Sequence, residues 1–146
     1  MKSVVLLCVC FLSVPVFSQE YLGQFSVNQY ESNSISNKNG KYGNEYNPDS
    51  IHNPYGKYGN PYSPNSVNNP HATNAPKLYD SKGNYRGRLS NNPYDPDSIS
   101  NPYGRYGNKY SSDSVHNEYG AGNPNLADSP NNPNGKGWKI ISDDEF

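Results

Sequence analysis

Apolar residues are sparse along this chain, and they fall in two patterns. In the first, a single Ile or Val stands in a long polar stretch: Ile35, Ile51 and Val67, then Ile99 and Val115, spaced sixteen residues apart within each set. In the second, short segments alternate. Tyr21, Gly23 and Phe25 alternate with polar neighbours, and Tyr85, Gly87 and Leu89 alternate with Arg86 and Arg88. Such period-two alternation predicts half-buried strands. Leu78-Tyr79-Asp80 and Trp138-Lys139-Ile140-Ile141 are two further strand candidates. Ser81-Lys82-Gly83-Asn84 lies between two of these segments and suits a hairpin loop. The economical arrangement is one small antiparallel sheet that gathers all four, since an isolated pair of strands is only marginally stable.

The isolated Ile and Val residues belong to a sixteen-residue repeat. Its best-kept copy is Tyr94–Lys109, YDPDSISNPYGRYGNK, and other copies start at Tyr30, Tyr46, Tyr62 and Tyr110. A shortened copy begins at Asn125. The repeat predicts consecutive turns. Asn-Pro-Tyr-Gly at 53–56 and 101–104 puts Pro at the second turn position and Gly at the fourth, as a type I turn prefers. The Tyr-Gly-Asn at 58–60 and 106–108 adds a second glycine free to take a positive φ. Pro and Gly recur too often for a helix of any length. The fold class expected is therefore a mostly irregular, turn-rich repeat protein with a small antiparallel β-sheet and little helix outside a signal peptide.

A longer period lies over the short one. Tyr21–Tyr30 matches Tyr85–Tyr94 at an offset of 64 residues, and Lys77-Leu78-Tyr79 resembles Lys139-Ile140-Ile141. The organisation expected is a signal peptide at 1–18, one repeat module at 19–80 and a second at 81–146 with a short acidic tail. In the signal, Lys2 is the positive start, Val4–Val14 is an apolar run too short to span a bilayer, and cleavage falls near Ser18–Gln19. Val5-Leu6-Leu7 ahead of Cys8 lacks the small residue that a lipid-attachment site needs. Both cysteines, Cys8 and Cys10, leave with the signal, so the mature chain has no disulfide, thiol nucleophile or cysteine metal site. No later segment is apolar enough to be a transmembrane helix.

Composition sharpens this picture. After residue 18 only 14 of 128 residues are Leu, Ile, Val or Phe, below the roughly 20% that a globular core needs. Ordering the backbone costs about 1–2 kcal/mol per residue, while burying one aliphatic side chain returns about 1.5–3 kcal/mol. Apolar burial alone therefore predicts a loose chain with small ordered patches. Fourteen Tyr residues add rings that can pack locally. The net charge of -1 becomes -2 once Lys2 is removed, which argues against a nucleic-acid partner.

Candidate chemistry is thin. Asp95-Pro96-Asp97-Ser98 brings oxygen ligands close together, as Ca²⁺ requires, yet Asn33 and Asn65 stand where other copies have Asp49, Asp97 and Asp113. Turn formation explains these residues better. His52 and His116 occupy equivalent places, each three residues after an Asp, a weak transition-metal pattern that reads more simply as solvent-facing histidine. Lys41, Lys57, Arg86, Arg88 and Arg105 interleave with Tyr, a pairing that can stack on sugars. Asp143-Asp144-Glu145 reads as a solvated terminus. No nucleophile elbow, P-loop or dinucleotide-binding glycine motif occurs. No catalytic, cofactor or metal residue is assigned, and the expected protein is not an enzyme.

The phrases NPYGKYGNPYSPNSVNNP, KLYDSKGNYRGRLSNNPYDPDSISNPYGRYGNKYSSDSV and AGNPNLADSPNNPNGKG resemble a family of small secreted bacterial proteins of unknown function. The likeness covers nearly all of the mature chain and implies export, to the periplasm or outside the cell. It brings no catalytic residues. This chain departs from the family phrase at Lys38-Asn39, His71 and Glu118. The function expected is a structural or binding role at the cell envelope, with an envelope or extracellular polymer as partner. A Tyr-rich matrix or adhesive protein is the alternative, with Tyr42, Tyr55, Tyr58, Tyr103 and Tyr106 expected to be accessible for cross-linking. An enzyme or inhibitor is a third reading, for which no activated nucleophile or paired acid and base is visible.

Overall fold

The computed structural model describes residues 17–145. The expected signal peptide lies outside the described residues up to position 16, as do Cys8 and Cys10. Four strands form at the four candidate segments: β1 (Phe17–Phe25), β2 (Lys77–Tyr79), β3 (Tyr85–Arg88) and β4 (Trp138–Glu145). They make one antiparallel sheet in the order β1-β4-β2-β3. No helix occurs among the described residues, and none is long and apolar enough to cross a membrane.

The pairing has a simple symmetry. The two segments expected to close the modules, β2 and β4, lie side by side at the centre, with Leu78 opposite Ile140. The opening segment β1 pairs with β4, and β3 pairs with β2 through the hairpin at 80–84. Each opening strand therefore pairs with the closing strand of the other half of the chain. In the hairpin loop, the Gly83 N–H donates to the Asp80 carbonyl at 3.0 Å with Gly83 at φ 83°.

The core lies where the sheet meets the polar stretches. Leu22, Leu78 and Ile140 are fully buried, and Trp138 is nearly so. They share a cluster with Ile51, Val67, Ile99 and Val115, the isolated aliphatic residues of the repeat. Phe25 packs against Trp138 with ring centroids 6.5 Å apart. Each such side chain contributes about 1.5–3 kcal/mol by burial. The cluster thus serves both the sheet and the segments between the strands.

The acidic end is not a free tail. β4 continues through Asp143, which pairs with Gln19 of β1. The Asp143 carboxylate accepts an ion pair from Lys77 Nζ at 2.8 Å, and its carbonyl accepts a hydrogen bond from Asn74 Nδ2. The physical reason is edge pairing: a strand beside β1 satisfies the backbone of both, whatever the side-chain charge. A cut after Ser18 would leave Gln19–Phe25 of β1 in place.

Candidate binding surface

Between the strands the backbone turns every third residue. The carbonyls of Asn44, Asn47, Ser50 and Asn53 accept from the N–H groups of Asn47, Ser50, Asn53 and Gly56 at 3.0 to 3.2 Å. A step of four follows, from Gly56 to Asn60, and then the threes resume. The same series runs through Asp95, Ser98, Asn101, Gly104 and Asn108. Four steps of three and one of four add up to the sixteen-residue spacing. Corner positions are Asn, Asp, Ser or Gly, often followed by Pro, the residues preferred at the first and second places of a type I turn.

Side chains at the corners complete the hydrogen bonding. Asn101 Oδ1 accepts from the Tyr103 N–H at 3.0 Å, and its Nδ2 donates to the Asp95 carbonyl at 3.1 Å. Asn53 does the same with Tyr55 and Asn47. Ser34, Ser50, Ser66, Ser98, Ser114 and Ser129 are all fully buried. Ser98 Oγ donates to the Ser90 carbonyl at 3.1 Å and accepts from the Ser100 N–H. Each such bond contributes about 1 kcal/mol net, and leaving its buried partner unpaired costs more. Order in these segments therefore rests on hydrogen bonds that an apolar tally does not count.

The glycines in these segments act by lacking a Cβ. Gly59 and Gly107 are free to adopt positive φ but do not. A Cβ on Gly107 would lie 2.0 Å from the Asn101 carbonyl oxygen, and one on Gly59 would lie 2.1 Å from that of Asn53. Backbone packs directly on backbone at these corners.

His52 and His116 are exposed, as expected, and each also makes a ring hydrogen bond to the backbone. His52 Nε2–H donates to the Ile35 carbonyl at 2.8 Å, and His116 Nε2–H donates to that of Ile99 at the same distance. Both bonds span seventeen residues and tie one turn of the path to the next. Asn68 Nδ2 makes the same link to the Ile51 carbonyl. No group of three or more His, Cys, Asp or Glu side chains with metal-binding geometry occurs among the described residues. Asp97 is held in the fold, with Oδ2 accepting from the Tyr85 hydroxyl at 3.1 Å.

Most of the cations interleaved with Tyr have internal work. Arg88 donates to the Ala75 carbonyl. Arg86 bridges Asp80 and Asp113, and Arg105 also pairs with Asp113. Lys41 and Arg105 sit over the rings of the adjacent Tyr42 and Tyr106.

The tyrosines divide into two classes. Tyr58 and Tyr106 are buried and Tyr42 is half-buried, so three of the five rings expected to be accessible face inward. Tyr106 packs edge-on against Tyr85, and Tyr42 packs the same way against Tyr21. Burial, with the nearby Tyr42 and Glu31, pushes the Tyr21 hydroxyl up to about 12. Burial and the adjacent Asp97 carboxylate also push Tyr85 up. Tyr55 and Tyr103 are exposed as expected, both at 93%. Six more rings, Tyr30, Tyr46, Tyr62, Tyr94, Tyr110 and Tyr119, are at least 80% exposed.

One rule separates the classes. Each of the eight exposed tyrosines stands two residues after an Asn, and its N–H donates to that Asn's Oδ1 at 2.9 to 3.0 Å. This Asx-turn sets the backbone so that the third residue points outward. The three rings that pack inward from the turns, Tyr42, Tyr58 and Tyr106, instead follow Gly-Lys or Gly-Arg. The Asn-x-Tyr triplet was therefore the available signal for the exposed set. Within each series the rings recur at one position per sixteen residues: Tyr30, Tyr46 and Tyr62; Tyr94 and Tyr110; Tyr103 and Tyr119. Aromatic rings held this far into solvent, at repeated positions on a hydrogen-bonded backbone, have the chemistry of a contact surface.

No family model, curated protein or solved structure matches this chain.

Proposed function

We propose that this chain is a secreted, non-enzymatic, turn-rich repeat protein of two modules. On this reading it plays a structural or binding role at the bacterial cell envelope and presents its tyrosines to an extended polymer. The eight exposed Asn-x-Tyr rings carry the proposal. Their periodic placement suits a partner that is itself long and repetitive. Their Asn neighbours at 53 and 101 spend both side-chain ends on the backbone, so contact would fall on ring faces and hydroxyls. Weak net charge and internally paired arginines favour an uncharged polymer such as a glycan over a polyanion.

The test is a pull-down from envelope fractions with Tyr46, Tyr55, Tyr62, Tyr94, Tyr103 and Tyr110 all replaced by Ser. Each ring is exposed, so each change should shift stability by no more than about 0.5 kcal/mol, and circular dichroism should be unaltered. Loss of a partner that the unaltered protein retains is the expected result. Equal recovery by both forms would remove the binding reading.

The 93% exposure of Tyr55 and Tyr103 favours a second reading, a matrix protein cross-linked through tyrosine. An external one-electron oxidant would take one electron and one proton from each of two phenols, and the radicals would couple. Native material should then show dityrosine fluorescence and covalent multimers. Their absence would leave the first reading standing alone.

A further inference from the structure

We propose that the cavity beside the first repeat is a binding site for a small zwitterion, a short peptide with both termini free. This inference is independent of the polymer reading above. The cavity has a volume of about 620 Å³ and is lined by Ile35, Lys38, Glu45, Tyr46 and His52, among others. That size lies in the range of small-ligand sites.

The lining has three chemically distinct parts. Ile35 is half-buried here, whereas its counterparts Ile51, Val67, Ile99 and Val115 are buried in the core. It leaves an apolar floor. Lys38 and Glu45 bring opposite charges to the same cavity, and neither has a hydrogen bond or ion pair among the described residues. Tyr46 is exposed at its edge. His52 is fixed by its Nε2–H bond to the Ile35 carbonyl. In the neutral ring this leaves Nδ1 as an acceptor.

The sequence departs from its own repeat at these positions. Lys38 stands where Pro54, Pro70 and Pro102 stand in other copies, and Glu45 stands where Pro61 and Lys109 stand. The equivalent place 64 residues later keeps Ile99, Tyr110 and His116 but has Pro102 and Lys109 at the two charged positions. The copy at Tyr94–Lys109 therefore lacks the paired opposite charges. The chemistry that satisfies Lys38, Glu45 and Ile35 together is a carboxylate, an ammonium and an aliphatic side chain on one small molecule. A charge-assisted hydrogen bond to each end is about twice as strong as a neutral one.

Glycyl-leucine is the probe, titrated into the isotopically labelled mature protein and followed by amide chemical shifts. Shifts should appear at Ile35, the 43–46 segment and His52, and not at Ile99, Tyr110 or His116. N-acetyl-glycyl-leucine and glycyl-leucine amide should each bind at least about tenfold more weakly. Lys38→Ala should abolish the penalty for amidation and leave that for acetylation, and Glu45→Ala should do the reverse. Both side chains are exposed and outside the turn bonding, so both variants should keep the wild-type spectrum elsewhere. No shift at these residues up to about 10 mM peptide, weaker than any useful affinity, would overturn the site. Equal binding of the blocked peptides, unchanged binding by both variants, or equal shifts in the second half of the chain would also overturn it.

Discussion

Gly107→Ala should destabilise the fold by about 3 kcal/mol, lowering the thermal midpoint by roughly 10 °C for a chain of this size. The new Cβ would sit 2.0 Å from the Asn101 carbonyl oxygen, 2.7 Å from its carbonyl carbon and 2.9 Å from its nitrogen. All three are backbone atoms, so no rotamer change relieves the contact. Moving Asn101 would break the bonds it gives to Asp95 and accepts from Tyr103. The φ of Gly107 is not positive, so the effect is steric rather than conformational. Gly83→Ala is the control. Gly83 has φ 83°, and a Cβ added there would meet nothing within 4 Å, so alanine should cost only the left-handed strain of about 1 kcal/mol. Urea unfolding of the two variants separates the explanations. If Gly83→Ala were the more damaging, direct backbone contact at the coil corners would not be what demands glycine.

The same distinction shows what could be read from the sequence. The strands were legible because their signals are local: Tyr85, Gly87 and Leu89 alternate whatever lies beside them, and Leu78-Tyr79 and Trp138–Ile141 are short apolar segments in a polar chain. Their order was not, because no residue in β1 states that it pairs with β4 rather than β3. The extension of β4 into Asp143 was hidden by charge, since an acidic run at a chain end has the composition of solvent-exposed coil. Glycine is visibly necessary in the repeat, but its local pattern allows positive φ, whereas the need is for a missing Cβ. Only the approach of Asn101 to Gly107, six residues away in the chain, reveals the difference.

The candidate surface was legible in part. Tyrosine abundance and its sixteen-residue spacing pointed to the rings, and Tyr55 and Tyr103 are exposed. Tyr58 and Tyr106 look the same in sequence because all four stand beside Gly. What sorts them is the residue two places earlier: Asn before Tyr55, Gly before Tyr58. That signal was present but depends on the Asx-turn being formed. His52 and His116 illustrate the converse. Their bonds reach seventeen residues back, and a side chain that bridges successive turns leaves no mark in its immediate neighbours.

Arg86→Ala should cost about 3 kcal/mol, the lower end of the range for breaking a buried ion pair. Asp80 is 5% exposed. Its Oδ2 accepts from Arg86 Nε at 3.1 Å and Nη2 at 3.0 Å, while Arg86 Nη1 reaches Asp113 at 2.9 Å. The Arg86 guanidinium also lies 5.8 Å from the Trp138 ring centre. Removing Arg86 leaves Asp80 with the N–H groups of Lys82 and Asn84 and the Asn84 side chain. The carboxylate would remain buried without a countercharge. Desolvation pushes the Asp80 carboxyl up, but the hydrogen bonds from Asn84, Arg86 and Lys82 outweigh it and hold it below the usual aspartate value. A depressed folded-state value means that ionised Asp80 contributes stability above the unfolded pKa of about 3.9 and loses it as pH falls through the lower folded value. The wild type should therefore lose stability below about pH 4, and Asp80→Asn should flatten that acid limb. Without Arg86 the desolvation of Asp80 is less fully offset, so its folded-state value moves up towards the unfolded one and the acid limb of Arg86→Ala should be shallower than that of the wild type. Arg105→Ala removes an exposed partner of Asp113 and an exposed guanidinium over the Tyr106 ring, and should leave the urea midpoint nearly unchanged. Urea unfolding from pH 3 to pH 7 measures all four proteins. Equal midpoints for Arg86→Ala and Arg105→Ala would show that Asp80 does not need its buried countercharge.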